Sequence, residues 1–177
     1  FYPMKVKSIL LFLCCLLCIP THAQQTEVAF KLQQAYRILN WGRDFDTAEN
    51  ILSGITESDI AEQSDTTKYL FYYCNAGLMD MKEVQSEVKT DYIRKAISIR
   101  ERSLGIHDSK YIELLCALAT ELEDADPDAA IPLYERAMVV GMYPFYLKMD
   151  DDAVKQAFGI AMWSLAHLYE VKGYENQ

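Results

Sequence analysis

The segment Ala96-Ile-Ser-Ile-Arg-Glu-Arg-Ser-Leu-Gly105 returns in altered form as Ala130-Ile-Pro-Leu-Tyr-Glu-Arg-Ala-Met-Val139, with the leading alanines 34 residues apart. A fixed period of about 34 residues is the length of a helix-turn-helix unit. Such a unit cannot bury its apolar face alone and must stack on copies of itself. The spacing therefore predicts an all-α chain built as a stack of antiparallel helix hairpins. It says nothing about what the stack binds.

The rest of the chain agrees with that class. No stretch alternates apolar and polar residues long enough to read as a strand. Val28, Leu32, Ala35, Tyr36 and Leu39 recur at three- and four-residue steps, which predicts a helix over 28–41, broken by Gly42-Arg43-Asp44. A second helix is expected over 46–55 on Ala48, Ile51, Leu52 and Ile55, followed by a loop over 56–67. The third, 67–79, is apolar nearly all round and should lie between neighbours. Helices over 89–104, 109–123 and 128–140 follow, with a turn at Asp124-Ala125-Asp126-Pro127. Gly141 and Pro144 are expected to stop the helix that ends at 140. A long helix over 151–172 completes the pattern, with Gly173 opening the next turn.

The N-terminal end reads as an export signal. Lys5 and Lys7 precede an eleven-residue apolar run from Ile9 to Ile19, and Pro20-Thr21-His22-Ala23 supplies a small residue for cleavage. The run is too short to cross a bilayer, which takes roughly 20 residues. Leu13, Cys14 and Leu17 precede Cys14, Cys15 and Cys18, which argues against acylation. Residues 1–23 are therefore expected to be a leader and 24–177 the mature repeat domain, periplasmic in a Gram-negative cell. Loss of Lys5 and Lys7 moves the net charge from −9 to −11. Binding the phosphate backbone relies on clustered Lys and Arg, so nucleic acid is a poor partner for such a surface. Cys74 and Cys116 are the cysteines left in the mature part, so burial rather than disulfides must hold the fold. At about 8–10 Å between packed helices, beyond the roughly 7 Å reach of a bridge, both should be free thiols.

The motif Ile99-Arg-Glu-Arg-Ser-Leu-Gly105 with His107, its counterpart Pro132-Leu-Tyr-Glu-Arg-Ala137, and Leu165-Ala166, Tyr169 and Gly173 resemble tetratricopeptide repeats of the kinesin-light-chain variety found in bacterial exported proteins. Gly42, Phe45, Ala48 and Leu52 resemble an earlier, worn repeat. Ala48, Ala96, Ala119, Ala130 and Ala166 suit close helix approach, and Leu118, Tyr134, Leu165 and Tyr169 suit the space between hairpins. Ala48 and Ala96 are 48 apart, which departs from the period and implies an extended loop over 79–88; Tyr36 stands where a small residue is usual.

The resemblance implies a right-handed superhelical α-solenoid whose first helices form a concave groove for a peptide or helix of another protein. Carried onto this sequence, the groove positions are Phe71, Cys74 and Leu78, then Glu113, Cys116, Thr120 and Glu123, then Trp163, His167 and Glu170. The plainer alternative for each is a buried or merely solvated helix residue. The expected function is a non-catalytic scaffold with no cofactor and no stable membrane insertion. The alternative is the sensory ectodomain of a longer membrane signalling protein, a histidine kinase or regulator. The long apolar helix over 151–172, followed directly by Gly173-Tyr174-Glu175-Asn176-Gln177, leads us to expect a solenoid truncated at its C-terminal end.

Rival chemistry is weaker. Asp124, Asp126, Asp128, Ile131 and Glu135 fall at spacings of a calcium loop, but Ala129 stands where the sharp turn needs Gly, and Pro127 and Pro132 interrupt it. Their acidic side chains suit a helix start, as does Asp150-Asp151-Asp152. His107 and His167 have no ligand-spaced neighbours for zinc. No phosphate loop or nucleophile elbow is present in the sequence, so no metal and no catalytic residue is expected.

Overall fold

The computed structural model describes residues 26–42, 44–84, 86–146 and 152–173. The leader, its cleavage point and the start of the acidic run at 150–152 lie outside the described residues. All regular structure among the described residues is helical, with no strand. In chain order the helices are α1 (26–41), α2 (Phe45–Ser53), α3 (Glu57–Ile60), α4 (Asp65–Met81), α5 (Glu87–Ile99), α6 (Ser109–Glu123), α7 (Pro127–Tyr146) and α8 (Asp152–Val171). A π turn, Arg100–Leu104, extends α5. The chain divides into two compact units, 1–74 and 75–177, so that α4 begins in the first and ends in the second.

In the first unit, Val28, Leu32, Ala35 and Leu39 make the buried side of α1. Tyr36 works as an aromatic link. Its ring centroid is 5.7 Å from that of Tyr73 and 5.8 Å from that of Trp41, and Tyr73 in turn lies 5.5 Å from Tyr69. α2 starts at Asp44, whose Oδ1 accepts from Thr47 N at 3.1 Å. The segment expected as a loop over 56–67 contains α3 instead. Thr56 and Asp59 form a reciprocal capping box, with Thr56 N donating to Asp59 Oδ2 at 2.8 Å, and Ile60 is buried behind it. One turn of helix is too short to show periodicity, so pattern reading passes over it.

In the second unit α6 is the centre. It packs on α5, α7 and α8, and α7 packs on α8. Tyr111, Ile112, Leu114, Leu115, Cys116, Leu118 and Ala119 are all buried, covering most of its circumference. Ser86, Asp108 and Asp126 cap α5, α6 and α7, accepting from Lys89 N, Tyr111 N and Ala129 N at 3.2, 3.0 and 3.1 Å. The loop expected over 79–88 shrinks to residues 82–86. α4 ends in a Schellman turn, with Val84 N bonded to Met79 O at 2.9 Å, Glu83 N to Asp80 O at 2.9 Å, and Glu83 held at φ 56°.

Nor do Gly141 and Pro144 stop α7, which runs on to Tyr146. Gly141 serves packing rather than termination: a Cβ placed there would lie 2.7 Å from Phe158 Cδ2 on α8. Ala48, Ala96, Ala119 and Ala130 are buried as close-approach residues, whereas Ala166 faces outward.

Glu101 and Glu135 occupy equal places in the two related segments, and each accepts a hydrogen bond from a tyrosine of a following helix. Tyr111 OH donates to Glu101 Oε1 at 2.8 Å, and Tyr169 OH donates to Glu135 Oε1. Arg136 strengthens the first clasp, with Nη1 2.8 Å from Glu101 Oε1 and its guanidinium 5.4 Å from the Tyr111 ring centroid.

Candidate protein-binding face

The ten residues assigned to the groove separate by burial. Phe71 and Cys74, of the first unit, and Leu78 and Cys116, of the second, are all buried. At that exposure none of the four lines an open groove. Cys116 Sγ lies 3.7 Å from Ala157 O on α8, which fixes the α6–α8 contact. Both cysteines are free. Burial pushes each thiol up to about 12, and the Glu113 carboxylate adds to the effect on Cys116. A thiol held that far above neutrality is not a nucleophile.

The other six belong to α6 and α8, which pack against each other. Glu113 is half-buried and pairs with Lys110 Nζ at 2.9 Å. Thr120 and Glu123 bracket the buried Tyr134 of α7. Thr120 Oγ1 lies 2.9 Å from its hydroxyl, which donates to Glu123 Oε2 at 2.9 Å. Desolvation holds the Tyr134 hydroxyl above its usual range, and the Glu123 hydrogen bond and charge add to it while the Thr120 hydrogen bond opposes it. On α8, Trp163 is 72% exposed and stacks on His167, with centroids 5.8 Å apart and planes at 12°. Glu170 is exposed one turn further on.

The sequence reading did not assign Ile160 and Met162 to this face, yet both are exposed beside Trp163. Their signal is the helical step: Gly159, Ile160, Trp163, Ala166 and His167 share a side of α8, while Ala157, Ala161, Leu165 and Leu168 share the opposite, buried side. The reading also passed over Lys89. Its side chain is 5% exposed and bridges Asp80 Oδ1 at 2.7 Å and Glu121 Oε1 at 2.6 Å, linking the end of α4 to α5 and α6. A lysine at a helix start gives no sequence sign that it will be buried.

The acidic cluster that resembled a calcium loop is used for structure. Asp126 caps α7, Asp128 pairs with Lys172, and Glu135 accepts from Tyr169. Among the described residues no group of His, Cys, Asp and Glu is placed to hold a metal ion, and no helix is long and apolar enough to cross a membrane. An open cleft of about 590 Å³ lies between α5 and the end of α6, lined by Ser86, Glu87, Thr90, Arg94, Glu121 and Leu122. It offers hydroxyls and charges of both signs. Comparison with protein-family models, with curated proteins and with solved structures gives no match.

Proposed function

We propose that this chain is an exported, non-catalytic scaffold of the tetratricopeptide type, binding a peptide or helix of another protein along α6 and α8. The observation that carries the reading is Trp163, exposed to 72% and stacked on His167 on the side of α8 turned away from its core. Large aromatic side chains with a polar neighbour are what binding hot spots are made of, and an exposed apolar stripe has a cost in water that a partner removes. Thr120, Glu123 and Glu170 add polar and acidic groups on the same pair of helices. With a net charge of −11 once the leader is removed, the complementary partner is cationic and amphipathic.

A displayed peptide library selected on the chain tests this. Enriched sequences should combine an apolar anchor with Lys or Arg, and Trp163→Ser should lower their affinity at least tenfold, the usual scale of a central aromatic anchor. Peptides that bind the Trp163→Ser chain as well as the parent would refute the groove. For export, the mature product should begin at Gln24, and an intact leader in the mass of the natural product would refute that part.

A further inference from the structure

The open cleft between α5 and the end of α6 carries charges of both signs that do not meet. Ser86, Thr90 and Arg94 stand four residues apart, so their side chains line a single wall on one flank of α5. Glu121, on α6, lines the other. Its Oε1 is fixed by Lys89 Nζ at 2.6 Å, and no described residue donates to its Oε2. Lys89 also serves Asp80, so one ammonium meets two carboxylates and a unit of negative charge is left over at this wall. Arg94 is exposed and makes no hydrogen bond or ion pair with any described residue. Opposite charges that line one cleft without bridging each other are the complement of a ligand that carries both.

The spacing says how long that ligand is. Lys89, which holds Glu121, and Arg94 are five residues apart on α5, about 7.5 Å of helix rise. In an extended dipeptide the ammonium nitrogen and the carboxylate carbon lie about 6 Å apart, against about 2.5 Å in a free amino acid. The flexible stem of Arg94 takes up the remaining difference of about 1.5 Å. Thr90 stands between the two charges. Its Oγ1 donates to Ser86 O at 3.4 Å, which leaves its lone pairs to accept a peptide N–H. The cleft volume of about 590 Å³ lies within the range of small-molecule sites.

We propose that this cleft binds a free dipeptide as its zwitterion, with the ammonium on Glu121 Oε2, the peptide N–H on Thr90 Oγ1 and the carboxylate on Arg94. A segment inside a longer chain has neither end charge and is not selected. The site is separate from the exposed face of α8, so neither reading depends on the other. The cleft stays open to water, and the dissociation constant should be on the order of millimolar.

Titration of the isotope-labelled full chain with alanyl-alanine, followed by amide NMR, should give saturable shifts over Ser86–Arg94 and Glu121–Ala125. Acetylating the amine of the probe, or amidating its carboxylate, removes one charge and should weaken binding about fivefold in each case, the upper end for an exposed pair. Arg94→Gln should bind the dipeptide and its amide alike while still preferring both to the acetylated form. Glu121→Gln should show the converse pattern. Because Glu121 also holds Lys89, the exposed Arg94 decides the case if the Glu121 variant does not fold, and circular dichroism checks both. No saturable shift at tens of millimolar dipeptide overturns the proposal. So do capped probes that bind as tightly as the free dipeptide, an Arg94→Gln chain that still discriminates against the amide, and shifts confined to α8.

Discussion

Replacing Lys89 with methionine should destabilise the second unit by about 2–3 kcal/mol. Removing one member of a buried ion pair costs about 3–5 kcal/mol, because the remaining charge is left unpaired where water cannot reach it. Two features reduce that range here. Asp80 is 70% exposed and returns to water easily, and Glu121, 11% exposed, borders the open cleft beside Ser86 and Thr90. Methionine keeps most of the apolar stem in place, so the loss is electrostatic rather than a cavity. Urea denaturation followed by circular dichroism measures it, at unchanged m. The double variant Lys89→Met/Glu121→Leu should recover at least half of the loss, since apolar replacement of both partners removes the stranded charge. The pH dependence has a definite sign. Burial acts to lower the Lys89 pKa, but hydrogen bonds and charge from Asp80 and Glu121 outweigh it, leaving the folded value above the ordinary one. The contribution is therefore complete below the unfolded value of about 10.4 and is lost as pH rises through the raised folded value. The gap between parent and variant should be constant near neutrality and close above about pH 10.5. A variant within about 0.5 kcal/mol of the parent at neutral pH, the size of an ordinary surface change, would refute the reasoning.

Gly141→Ala should lose about 1–2 kcal/mol by thermal or urea melting, because the added carbon meets Phe158 at 2.7 Å and overpacking exceeds the gain in helix propensity. A more stable variant would show that α7 and α8 are not in close contact. Glu83→Gly should gain about 0.5–1 kcal/mol by relieving the left-handed backbone at φ 56°, measured the same way. Tyr111→Phe should cost about 1 kcal/mol, since it removes the hydroxyl that donates to Glu101 and leaves that carboxylate to Arg136, and a Tyr111→Phe/Glu101→Gln cycle reads the coupling directly. Cys74 and Cys116 should resist an aromatic disulfide reagent at pH 8 until the chain unfolds, because burial holds both thiols protonated; immediate reaction of either would contradict that burial.

Sequence alone placed the longer helices, which rest on local periodicity, but not the one-turn α3 or the extension of α7 past Gly141 and Pro144 to Tyr146. α6 runs over the predicted 109–123, Pro127 stands first in α7, and α8 ends within a residue of the predicted bound. Tertiary structure decided what each helix face does. The groove reading puts Cys74, Cys116 and Trp163 on one surface, but packing encloses the two cysteines while Trp163 stands in water. Gly141 reads as a stop until Phe158 comes against it, and Lys89 reads as a solvated charge until Asp80 and Glu121 close round it. Periodicity fixes which residues share a side of a helix. Whether that side meets a neighbour or solvent depends on chain brought in from far along the sequence, and no local pattern records it.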